Sequence, residues 1–75
     1  MNEQELYIVQ AIKIQNRISV LNLQLIQMEK ILKSMIDNNN NKKDIILLQK
    51  KYSYKYNEYI HNKKYLLKIK TNYNI

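Results

Sequence analysis

Cysteine, glycine, proline, tryptophan and phenylalanine are all missing from this 75-residue chain. The missing cysteine excludes a disulfide framework and every thiolate metal site. A single histidine, His61, leaves no multi-histidine metal site within one chain, so neither metal nor cofactor is expected. Tight turns at positive φ favour glycine, and proline punctuates loops. A β-rich fold of this size without either is hard to build, whereas long helices joined by one turn need neither. A chain this short buries only about 60% of the surface its unfolded form exposes. With disulfides and metals excluded, idealised packing or association with other chains must supply the remaining stability.

Lys, Asn, Ile and Tyr fill 42 of the 75 positions, and all four use A/T-rich codons. That composition points to an AT-rich genome and inflates the lysine count irrespective of function. The net charge is +7 and is unevenly placed. Through Asp37, four acidic residues offset four basic ones, while the remainder sets nine lysines against Asp44 and Glu58. No run approaches the roughly 18 apolar residues of a membrane span. The acidic, polar start Met1-Asn2-Glu3-Gln4-Glu5 is unlike a secretory or transit signal. The expected compartment is the cytoplasm, or a nuclear or organellar interior reached without a recognisable N-terminal signal.

The first half carries a heptad pattern. Tyr7, Ala11, Ile14, Ile18, Leu21, Leu25, Met28, Leu32 and Met35 follow one another at alternating steps of four and three, and all nine are apolar or aromatic. This predicts a helix over about residues 3–37 with an a/d seam suited to left-handed supercoiled packing. Asn2 is the expected N-cap, and Glu3 and Glu5 favour the positive end of the helix dipole. Lys30 and Lys33 lie toward the negative end. Ile8, Val9, Ile12, Val20, Leu23, Ile26, Ile31 and Ile36 fall off the seam, so this helix is apolar on more than one face. One hairpin partner covers one stripe, so the surplus calls for further helices.

Periodicity stops at Asn38-Asn39-Asn40-Asn41-Lys42-Lys43. Asparagine is poor within helices, tolerates the left-handed region and bonds its own backbone in turns. A turn over about residues 38–43 suits an antiparallel helical hairpin, with Asp44 as a candidate cap for a second helix over about 44–71 and a frayed tail over 72–75. Continued from Ile45, the seam reads Ile45, Leu48, Tyr52, Lys55, Tyr59, Asn62, Leu66, Ile69 and Tyr73. Lys55 and Asn62 interrupt it, and Tyr56 or Lys63 would replace them in a shifted register. Two other arrangements compete: a strand through the alternating tyrosines of residues 52–59, and one continuous helix through residue 43 in a parallel coiled coil.

The expected fold is therefore all-α: a two-helix antiparallel hairpin or coiled coil, completed by oligomerisation or partner helices. The packing interface falls to Ile14, Ile18, Leu21, Leu25, Met28, Leu32 and Met35 on one helix and Leu48, Tyr52, Tyr59 and Leu66 on the other. Catalysis needs converging groups. None is identifiable: Glu58, three residues before His61, reads as a solvated surface pair with it. Six of seven tyrosines lie at or beyond residue 52 among lysines. Aromatics on a basic face can stack on bases while lysines meet phosphates. A candidate nucleic-acid face comprises Lys50, Lys51, Tyr54, Lys55, Tyr56, Lys63, Lys64, Lys68 and Lys70. A single arginine, Arg17, counts against bidentate phosphate reading.

The segment Ile26 to Ile60 resembles the small helical hairpins that act as aspartyl-phosphate phosphatases in sporulation signalling. The likeness lies in the apolar spacing of Asp44-Ile45-Ile46-Leu47-Leu48 and Tyr56-Asn57-Glu58-Tyr59-Ile60, with Gln49-Lys50-Lys51-Tyr52-Ser53 between them. That family's Ser-Gln-x-Leu-Asp signature implies a functional carboxylate. Here Ser53 stands at the Asp position and Gln49 at the Ser position, so the activity does not carry over. The readings are, in order, a non-enzymatic helical interaction module serving as adaptor or structural subunit, a basic hairpin binding RNA or DNA backbone, and a degenerate member of that regulatory family.

Overall fold

The computed structural model describes residues 2–73. Two helices, α1 (Glu3–Asp37) and α2 (Lys42–Tyr73), lie antiparallel in an all-α hairpin measuring 55 × 16 × 14 Å. At 1.5 Å per residue each helix is roughly 50 Å long, so the molecule is as long as its elements. Among the described residues there is no strand, and the tyrosines of 52–59 are helical.

Asn2 caps α1 as expected: its side-chain oxygen accepts the Glu5 N–H at 2.8 Å. The other end closes in a Schellman motif. Asn39 takes the left-handed conformation (φ 53°), its N–H reaching the Ile36 carbonyl at 3.2 Å and the Asn40 N–H reaching Met35 at 2.9 Å. Asparagine thus fills the site where glycine is usual. No basic residue stands in the last turn of α1. Lys30 and Lys33 end before it, and the backbone closure satisfies the terminal carbonyls instead.

Chain reversal takes four residues, ruling out the continuous helix. Asn41, rather than Asp44, begins α2. Its side chain accepts the Lys43 N–H at 2.9 Å and its carbonyl accepts the Ile45 N–H at 3.2 Å. Asp44 sits in the first turn, where its charge suits the dipole. At the far end α2 continues through Tyr73, beyond the expected stop at residue 71, because Tyr73 stacks on Tyr7 with ring centroids 3.8 Å apart. The rest of the expected tail, Asn74 and Ile75, lies outside the described residues.

All nine seam positions of α1 are buried or half-buried, and so are all nine of α2. Leu21 is fully buried. Ala11, Ile18, Leu66 and Ile69 form a core cluster that Tyr7, Ile14, Tyr59 and Tyr73 pack against. Counting inward from the Tyr7–Tyr73 stack places Ile18 opposite Asn62 and Leu25 opposite Lys55. The register is the unshifted one: Lys55 and Asn62 are half-buried, whereas Tyr56 and Lys63 are exposed.

Candidate interaction surfaces

Polar side chains clasp the hairpin along its edges. Arg17 donates to both carboxylate oxygens of Glu58, Nη2 to Oε1 at 2.9 Å and to Oε2 at 3.0 Å, with Nε to Oε1 at 3.1 Å. Glu58 is therefore engaged across the hairpin and not by His61, the partner its spacing had indicated. Both side chains remain over two-fifths exposed, so this pair orients more than it stabilises, contributing about 0–1 kcal/mol. The hydroxyl of Tyr52 donates to Glu29 at 2.6 Å. This bond to a carboxylate raises the Tyr52 pKa above its ordinary 10.0, with desolvation adding to the effect. Tyr73 is pushed up to about 12, first by the adjoining Tyr7 hydroxyl and then by desolvation.

The two polar seam positions are satisfied differently. Lys55 reaches across to Gln24 Oε1 at 3.0 Å, whereas Asn62 turns back onto the Glu58 carbonyl of its own helix at 2.8 Å. Lys55 thus belongs to the hairpin seam, apart from the outward lysines with which it was grouped. The Gln10 side-chain oxygen is buried and has no hydrogen-bond partner.

The other members of the candidate nucleic-acid face are exposed but do not share one face. Lys50, Tyr54, Lys64 and Lys68 lie on the outward side of α2, in a row with Asn57 and His61 at steps of four and three. Lys51, Lys63 and Lys70 lie on the flanks. Tyr54 is the most open of the tyrosines, 79% exposed. Tyr56 instead joins a ladder, its ring centroid 6.2 Å from Tyr52 and 6.4 Å from Tyr59, with the Lys63 amino group 5.1 Å above the Tyr59 ring. An open groove of about 540 Å³ runs along this flank, floored by Ile18, Tyr59, Leu66 and Leu67 and edged by Lys63, Lys64 and Lys70. Gln49 and Ser53 line a second open groove on α2, of about 490 Å³, that has no carboxylate. Among the described residues no three His, Asp or Glu side chains converge.

The third surface is the outer side of α1. With α2 in place, Ile12 remains 57% exposed, Leu23 62%, Val20 45% and Ile26 41%. Ile8, Ile31 and Ile36 are also exposed, while Val9 is half-buried. The cross-hairpin bonds were the part the linear pattern did not reveal. Arg17 and Glu58 both occupy positions flanking the seam, where interhelical ion pairs form, and pairing flanks once the turn was placed would have found them. Comparison with protein-family models, curated proteins and solved structures gives no match to this chain.

Proposed function

We propose that this chain is a non-enzymatic helical interaction module, an adaptor or structural subunit whose outer α1 face packs against another helical surface. One observation carries the reading. The hairpin fills the α1 seam and leaves Ile12, Val20, Leu23 and Ile26 uncovered on the same helix. Exposed apolar patches of this kind mark interaction sites. No described helix is long and apolar enough to cross a membrane. The occupant proposed for the stripe is a protein surface, met in the cytoplasm or in a nuclear or organellar interior. The test is the mass of the intact assembly purified at native abundance. A complex heavier than 9.2 kDa supports the module, and a lone monomer contradicts it.

A second reading is supported by the outward row of Lys50, Tyr54, Lys64 and Lys68: backbone binding of RNA or DNA. Six or more phosphate contacts would make affinity fall about 10³-fold or more between 50 and 200 mM salt. Association through apolar burial is nearly indifferent to the same change. The regulatory-hairpin reading is the weakest of the three, because no carboxylate stands at Ser53.

A further inference from the structure

The outer face of α1 has a pattern of its own. Starting at Glu5, steps of four and three lead through Val9, Ile12 and Asn16, then Ser19, Leu23, Ile26 and Lys30. These positions form a second seam on the side of α1 turned away from α2, about 38 Å long at 1.5 Å per residue. Its order is palindromic: a charge, two apolar residues, a polar residue, then a polar residue, two apolar residues and a charge of opposite sign.

We infer that this seam pairs with the same seam of a second copy, antiparallel, about a two-fold axis between Asn16 and Ser19. The inference rests on the interaction-module reading and names its partner. A two-fold interface brings one patch onto itself, so each residue must suit the one it meets. Laid antiparallel about that axis, Val9 faces Ile26 of the second copy and Ile12 faces Leu23. Asn16 faces Ser19, polar against polar, at the centre. Glu5 faces Lys30 at either end, acid against base. Every layer matches, and the axis repeats each match.

The surface is free to do this. Ile12 and Leu23 are more than half exposed and Ile26 is 41% exposed, while Val9 is half-buried. The ion pair between Arg17 and Glu58 is the one within the hairpin among the described residues, leaving Glu5 and Lys30 unpaired. Ser19 donates its hydroxyl hydrogen to the Gln15 carbonyl at 3.1 Å, so its oxygen remains open to accept from an Asn16 amide. A central polar layer fixes register at some cost in stability. A parallel pairing at zero offset would set Glu5 against Glu5 and Lys30 against Lys30, and is disfavoured by both. The resulting dimer is a row of four helices, with the two α1 helices inside and the basic α2 helices outside.

The test uses the full chain, whose lack of cysteine makes any introduced thiol unique. The purified protein should sediment at twice 9.2 kDa. Under mild oxidation, Ile12→Cys mixed with Leu23→Cys should form the mixed disulfide, while neither variant alone forms its own. Glu5→Lys and Lys30→Glu, both surface changes that leave helicity intact by circular dichroism, should each weaken the dimer about tenfold, and mixing the two should restore it. A monomer at the highest soluble concentration overturns the pairing, as does preferential linkage of two Ile12→Cys chains to each other. If the pure chain is monomeric but is recovered at native abundance in a heavier complex, self-pairing fails and the interaction module stands.

Discussion

Asn39 holds the reversal of the chain, and it does so in a backbone region that costs most residues about 1–2 kcal/mol. Asparagine enters that region more readily than branched residues because its short polar side chain bonds locally. Asn39→Val should therefore lower stability by about 1 kcal/mol or more, and Asn39→Gly should leave it level or raise it; urea midpoints for the three proteins check this. Tyr52 gives a second residue-scale expectation. Its pKa is raised above 10.0 by the bond to Glu29, so that bond's contribution is intact below pH 10 and is lost as pH climbs through the raised value. An ultraviolet titration of phenolate should show Tyr52→Phe losing a component that ionises above 10.0. If the lost component ionises at or below the ordinary value, the Glu29 bond is absent in solution.

At the scale of the element, α1 separates two kinds of apolar residue that composition alone does not distinguish. Leu21 is fully buried against α2, while Leu23, two positions on, is 62% exposed. Leu21→Ala should cost about 2–5 kcal/mol. Leu23→Ala, measured in dilute solution where the hairpin stands alone, should cost no more than roughly 0.5 kcal/mol. Equal costs would place the seam elsewhere. This seam was legible in the sequence because alternating steps of three and four are the signature of a helix packed along one stripe. It persisted through Lys55 and Asn62 because each finds a hydrogen bond without leaving the seam, Lys55 to Gln24 and Asn62 to Glu58. The ends of α2 were less legible for physical reasons. The asparagine run contains several possible caps, and the one used, Asn41, is set by how quickly the Schellman closure releases the chain. The far end is extended by Tyr73 meeting Tyr7, a contact between opposite ends of the sequence. The pairing of Arg17 with Glu58 is likewise invisible until the turn is placed.

At the scale of the whole molecule, a slender hairpin 16 by 14 Å across gives every helix one covered side and leaves the others to solvent or partners. On α2 the remaining sides are mostly lysine, asparagine and tyrosine, with Ile46, Leu47 and Leu67 as the exposed apolar residues among them. On α1 they include the apolar stripe from Ile12 to Ile26. The account therefore predicts association that strengthens with concentration, scarcely changes between 50 and 200 mM salt, and depends on α1 rather than α2. The lysine row contributes net charge. The most direct measurement is methyl NMR of the full chain with a soluble paramagnetic probe, using the 66% exposed Leu67 as the open reference. The account predicts that at high concentration the methyls of Leu23 and Ile26 become as shielded as those of Leu21 and Leu25, while Leu67 stays fully relaxed. Leu23 and Ile26 remaining as accessible as Leu67 at every concentration would contradict it.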